Sequence, residues 1–148
     1  MNVRLALSGL LFFLSAGASA STPACKPVLE GGWIRAAPPG ATALAGYGRL
    51  RNACAGPVVL TDLRSNSFAM AMIHETRLEK GVSRMRHARR LVVPARGHLS
   101  FEPGATHMML MHPRRKLKEG DRVAVELILS DGERVAAELV VRREPAAR

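Results

Sequence analysis

The sequence predicts an all-β domain, an antiparallel sandwich or barrel, and three observations carry that prediction. Glycine and proline punctuation recurs at short intervals, from Gly31-Gly32 and Pro38-Pro39-Gly40 through Gly56-Pro57, Gly81, Pro94, Pro103-Gly104, Pro113 and Gly120 to Asp131-Gly132. The stretches between these marks suit strands rather than long helices. Val123, Val125, Leu127 and Leu129 alternate at period two, and Ser130-Asp131-Gly132-Glu133 then supplies a tight turn. Eight or more short strands in a single domain of this size point to an antiparallel sandwich or barrel.

The elements follow from the punctuation in order. A first strand over 32–36 lies between the paired glycines and Pro38, and a second over 44–50 ends before Gly56. Residues 41–45 are open between the start of that strand and a short helix. Strand 58–64 begins after Pro57, and 70–74 and 83–86 flank Gly81. Runs 91–93 and 99–101 stop at Pro94 and before Pro103, and 107–111 runs up to Pro113. The hairpin 123–129 and 135–141 closes the series, and the tail from 142 is expected to fray.

The first twenty residues read as an export signal. Arg4 is the positive region, residues 5–14 (LALSGLLFFL) are mostly apolar, and Ala18-Ser19-Ala20 is the small-x-small pattern before a cleavage placed after Ala20. The apolar run falls short of the roughly 20 residues a bilayer span requires. The expected mature chain, residues 21–148, is a single soluble domain outside the cytoplasm with no membrane span. Thr22-Pro23-Ala24 before Cys25 lacks the leucine-containing box that precedes a lipidated cysteine, so no lipid is expected there.

Cys25 and Cys54 are the only cysteines, and an oxidising compartment favours pairing them. Closing a loop of about 30 residues stabilises by about 3–4 kcal/mol on the chain-entropy model. With 47% hydrophobic residues the chain is not a disordered tail, and with 4% aromatics it lacks the rings of a single-strand stacking platform. No internal repeat or low-complexity segment is present.

All five histidines (74, 87, 98, 107, 112) and every methionine after Met1 fall between Met70 and His112. Residues two apart in a strand share a face. Met70, Met72 and His74 then line one side of their strand, and His107, Met109 and Met111 one side of theirs. Thioether sulfur is a soft neutral donor that favours Cu(I), and imidazole accepts several borderline metals, whereas zinc does not select methionine. Outside the cytoplasm thiols oxidise to disulfides while thioethers stay available. Blue-copper electron transfer needs a thiolate, and no cysteine lies in this window. Metal carriage therefore fits better than metal redox chemistry. Core filling by the methionines is the plain alternative. Met108 and His112 point away from the His107 face, and His87 and His98 sit singly among charged or loop residues. The candidate ligands reduce to His74, Met85, His107 and Met109, with Met72 and Met111 in second rank.

These four residues carry a resemblance. His74, ten residues, Met85, twenty-one residues and His107-x-Met109 form a spacing that resembles the signature of PCuAC-type periplasmic copper chaperones. Flanking segments are similar too: GWIRAAPPG at 32–40, His74-Glu75-Thr76, GVSRMR at 81–86, PGATHMMLM at 103–111 and LKEGD at 117–121. The resemblance covers roughly residues 28–142. It implies a cupredoxin-like antiparallel Greek-key β-sandwich over residues 21–148, with a surface-accessible Met/His site for copper as Cu(I). It also implies delivery in the periplasm toward the dinuclear copper centre of cytochrome c oxidase, in concert with a Sco-type thioredoxin-fold protein. Some members carry a Met/His-rich C-terminal extension; residues 142–148 hold neither residue type, so the resemblance does not extend to a second copper site. The Cys25/Cys54 pair lies outside the signature.

Competing classes are weaker. The formal net charge is +10, one unit less without Arg4. Arg84, Arg86, Arg89, Arg90 and Arg96 follow the first ligand, and Arg114, Arg115, Lys116 and Lys118 follow the last. That allows a basic envelope protein with a polyanionic partner, although a solvated basic surface steering a carrier toward an acidic acceptor is the plainer account. Copper storage or tolerance is the other alternative, and no nucleic acid is expected. An enzyme is not expected. Glu75 and His74 point to opposite faces, and there is no nucleophile elbow, phosphate loop or paired-carboxylate motif.

Overall fold

Ten strands build the described part of the chain, residues 25–143 of a computed structural model. The expected signal (1–20) and the end of the tail (144–148) lie outside the described residues. In chain order the strands are β1 (Val28–Arg35), β2 (Ala43–Arg51), β3 (Val58–Arg64), β4 (Phe68–Glu79), β5 (Val82–His87), β6 (Leu91–Val93), β7 (His98–Phe101), β8 (Thr106–Pro113), β9 (Arg122–Leu129) and β10 (Arg134–Arg142). They pair in the order β5-β4-β8-β2-β1-β10-β9-β3-β6, with β7 attached to β2. The fold is all-β, and among the described residues there is no helix. Residues 41–45, open to a helix start in the sequence, instead lead into β2 at Ala43.

The sheet wraps around one core because alternate residues of most strands are apolar and inward-facing. Ile34, Leu50, Leu60, Ile73, Phe101, Met108, Leu110, Val123, Leu127 and Leu139 belong to a single buried cluster. Every pairing is antiparallel except β1 with β10, where Trp33 lies opposite Val140 in a parallel register. That one parallel pair modifies the wholly antiparallel sandwich expected from the sequence, and it joins the two ends of the domain.

Backbone crowding at this junction explains two glycines. A Cβ on Gly32 would stand 2.7 Å from Leu139 Cδ2 and 2.8 Å from the Glu138 carbonyl oxygen. Gly48, at φ +150°, faces Gly32 across a bulge in β1, and a Cβ there would meet Gly32 Cα at 3.1 Å. Only glycine fits either position without displacing a strand. On the edge away from β1, β2 then serves two partners, with Ala43 to Gly46 against β8 and Gly48 to Arg51 against β7.

Cys25 and Cys54 form a disulfide with Cα atoms 5.7 Å apart, tying the chain before β1 to the loop after β2. The buried Asn52 organises that loop. Its amide donates to the carbonyls of Gly56 (2.9 Å) and Pro94 (3.0 Å), and its side-chain oxygen accepts from Cys54 N–H (3.0 Å). An unpaired amide at this depth would be costly, so the loop is fixed by its satisfaction.

Strand β4 departs most from expectation. It runs on to Glu79, well past the end predicted at 74, and returns as β5 through a two-residue turn at Lys80-Gly81. Both turn residues have positive φ, 50° and 79°, as a tight hairpin of matching twist requires. The extension was hidden because from His74 to His87 no side chain is buried, so neither face shows an apolar alternation.

Candidate metal centre

Strand register builds the site. β4 and β8 pair antiparallel with His74 opposite His107, Met72 opposite Met109 and Met70 opposite Met111. On the other side of β4, His74 lies opposite His87 and Thr76 opposite Met85. Directly opposed residues share a face, and so do residues two apart. One face of the β8-β4-β5 sheet therefore carries a Met111–Met70 row, a Met109–Met72 row, a His107–His74–His87 row, and Thr76 with Met85.

The reverse face is different. Ile73, Met108 and Leu110 are fully buried in the core. Met108 thus packs, as the alternation predicts, while its neighbours His107 and Met109 stand on the other side of the strand. Further along the hairpin the reverse face is an ion-pair cluster: Arg77 Nε donates to Glu75 at 2.9 Å, and Arg86 meets Glu79 at 2.8 Å. Glu75 is turned away from His74, so the two do not form an acid/base pair.

His74 sits at the centre of the arrangement. Its ring centroid is 5.9 Å from that of His107 and 6.2 Å from that of His87. Met109 and Met85 occupy opposite diagonals, at separations long side chains can span. Burial is graded across the strands: His107 is 6% exposed, His74 is intermediate, and Met85 on the edge strand is 63% exposed.

Two imidazole nitrogens define what this face can do. His107 Nδ1 lies 3.0 Å from the Ala105 carbonyl oxygen, which can only accept, so Nδ1 is the donor, and in the neutral tautomer this leaves the lone pair on Nε2. A histidine fixed in this way by a backbone carbonyl is oriented as a metal ligand. His74 Nδ1 is buried and has no hydrogen-bond partner among the described residues. Burial, with His107 and His87 beside it, pushes the His74 imidazole below its ordinary value of 6.5. It is therefore neutral at neutral pH and available as a donor.

No three His, Cys, Asp or Glu side chains among the described residues already converge as a metal site. The histidines of this face need sulfur donors, or a rotation, to close on an ion. The thioethers of Met109 and Met85 supply soft, neutral sulfur, and the set as a whole carries no negative charge. Such a donor set fits Cu(I) and does not fit zinc, calcium or magnesium.

The other candidates fall into place around this set. Met72 and Met111 lie on the same face, one and two rows from the histidines. His98, on β7, pairs with Arg51 of β2, away from the face. His112, at φ 52°, lines a separate groove with Pro39 and Leu117. His87 is the residue that sequence reasoning set aside: it lies opposite His74, on the same face as His107 and Met109. Placing the turn at Lys80-Gly81 fixes the pairing of Glu79 with Val82 and hence of His74 with His87, so a signal for it was present.

Comparison with known proteins agrees with the architecture. The model of a family described as "Putative lipoprotein LpqE-like" matches residues 28–141. A protein of Leifsonia xyli subsp. xyli described as "Putative lipoprotein Lxx21020" is 30% identical over 133 residues, 87% of this chain and 78% of its own length. Among solved structures, Cu(I)-bound DR1885 from Deinococcus radiodurans superposes with a TM-score of 0.65 at 27% identity, over 85% of this chain and 83% of that one. Its apo form gives 0.64 at 26% identity over 99% of both chains. The copper-bound PCuAC domain from PmoF2 gives 0.64 at 19% identity over 78% of this chain and 92% of that one, and shows a shared fold. The cupredoxin-like β-sandwich expected from the sequence is thus the fold observed. On the match over 28–141 and the 30% identity, this chain belongs to the LpqE-like family.

Proposed function

We propose that this protein is a PCuAC-type copper chaperone, an exported carrier that holds Cu(I) on the outer face of β8, β4 and β5. His74, Met85, His107 and Met109 are its ligands, with Met72 and Met111 as a neighbouring reserve of thioethers. The observation that carries the reading is His107: buried, locked through Nδ1 to Ala105, with Nε2 free, directly across from the unpartnered His74. The likeness to DR1885, solved with Cu(I), supports the same cargo.

Graded exposure suits delivery. Neutral ligands bind Cu(I) without thiolate bonds that would slow its release. Met85, on the exposed edge strand, is the first ligand an acceptor displaces, and the buried His107 is the last. In this reading the acceptor is the copper-bearing subunit of cytochrome c oxidase, reached directly or with a Sco-type thioredoxin-fold partner. Binding and release need no bond-making chemistry, so the protein is a carrier and not an enzyme.

The periplasm is the proposed location. The family description names lipoproteins, but a lipid thioether on Cys25 would require the sulfur that is bonded to Cys54. In this reading both cysteines stay in that bridge, and neither carries a lipid.

Competition against a coloured Cu(I) chelator tests the site. His107→Ala and Met109→Ala are each expected to lower Cu(I) affinity at least about tenfold while the Trp33 fluorescence melt still shows a folded protein. Unchanged affinity in both variants contradicts the assignment.

A further inference from the structure

The signature that marks the copper-chaperone family has no place for His87, yet the β4–β5 register sets it directly opposite His74. His87, His74 and His107 form one row across three neighbouring strands, all on the same face. A metal–nitrogen bond is about 2.0 Å, and the ring centre lies about 1 Å beyond the nitrogen, so two imidazoles on one ion stand up to about 6 Å apart. The observed separations of 6.2 and 5.9 Å stand at the limit for two rings on opposite sides of an ion, so both must shorten by ring rotation before the three imidazoles share one ion. His87 is exposed on the edge strand, so its rotation displaces no packed neighbour. Its backbone position is nonetheless fixed, because the next residue, Ala88, donates its N–H to the Ile73 carbonyl at 2.8 Å.

The donor chemistry then divides. Thioether sulfur selects Cu(I), whereas imidazole serves Cu(II) equally well. The carboxylates of the hairpin, Glu75 and Glu79, are held in ion pairs with Arg77, Arg84 and Arg86 and offer no competing oxygen ligand. We infer that His87 is a further copper ligand, and that His74, His87 and His107 together hold Cu(II) on the face where His and Met hold Cu(I). This rests on the reading of that face as the copper site. It extends the cargo from one oxidation state to two, with His74 and His107 common to both and His87 exchanging with the methionines.

The test loads the purified protein with one equivalent of Cu(II) and reads its electron paramagnetic resonance spectrum, with affinity from competition against a Cu(II) chelator. Wild type, His87→Ala and His74→Ala are compared, each also titrated with Cu(I). For His87→Ala the expected result is loss of one nitrogen from the Cu(II) hyperfine pattern and at least a tenfold drop in Cu(II) affinity. Its Cu(I) affinity should change less than threefold, and its Trp33 melt should match wild type. If His87→Ala leaves the Cu(II) spectrum and affinity unchanged while His74→Ala loses copper, His87 is not a ligand and the inference fails alone. Should His87→Ala weaken Cu(I) and Cu(II) equally, the division between oxidation states is overturned. Unchanged binding in His74→Ala as well removes the copper face itself.

Discussion

The β9–β10 hairpin buries Val123, Val125, Leu127 and Leu129 on one side of β9 and answers with Val135, Leu139 and Val141 from β10. The β4–β5 hairpin, beyond Ile73, buries no side chain at all, and Leu78, Val82 and Met85 are 76%, 55% and 63% exposed. Both use a tight glycine-containing turn, Asp131-Gly132 in one and Lys80-Gly81 in the other. What differs is the face. One hairpin supplies core and stability; the other leaves the sandwich, so its two faces are free for ion pairs on one side and for histidine and methionine on the other. A cargo site benefits from that arrangement, because ligands on a wet edge strand can be reached and displaced by another protein's ligands.

Breaking the comparison at its buried end gives the largest effect. Leu127→Ala, at a fully buried position in β9, is expected to cost about 2–5 kcal/mol of stability, read from a denaturant titration followed by Trp33 fluorescence. The same variant, where folded, should hold Cu(I) as wild type does, since none of the proposed ligands lies on β9.

An intermediate effect comes from pH on the metal-free protein. Burial, then His107 and His87, hold the His74 imidazole below 6.5 in the folded state, so the unfolded chain takes up that proton more readily. The contribution to stability is complete above pH 6.5 and falls away as pH drops through the window beneath it. It levels once His74 is protonated in the folded protein too. His74→Gln is expected to flatten the stability–pH curve in that window, and identical curves for the two proteins would deny the perturbation.

The smallest effect belongs to the hairpin tip. Leu78→Ala, although it deletes a large apolar side chain, should change stability by no more than about 0.5 kcal/mol. A loss comparable to that of Leu127→Ala would mean that the tip is covered in solution and that the contrast between the hairpins is false.

The same contrast decides what the sequence could reveal. Where a strand has one buried face, alternation is written in the residues: the β9–β10 hairpin, the separation of Met108 from Met109 and His107, and the core positions of β8 follow from period two. The disulfide followed from cysteine count and an oxidising compartment. β4 and β5 have no buried face over most of their length, so 70–74 and 83–86 underestimated them. With the register of that hairpin unassigned, His87 looked like a solitary surface histidine. The parallel contact of β1 with β10 joins residues at opposite ends of the domain, and no local pattern encodes it. The proposed ligand set is partly legible because strand spacing alone gathers His74, His107 and Met109. Met85 and His87 need the turn at Lys80-Gly81 to be placed first.

X-ray absorption at the copper edge of the Cu(I)-loaded protein counts the donors around the ion and so tests the proposed site without a mutation. A mixed shell is expected, with imidazole nitrogen from His74 and His107 and thioether sulfur from Met85 and Met109. A shell of nitrogen and oxygen without sulfur would contradict it.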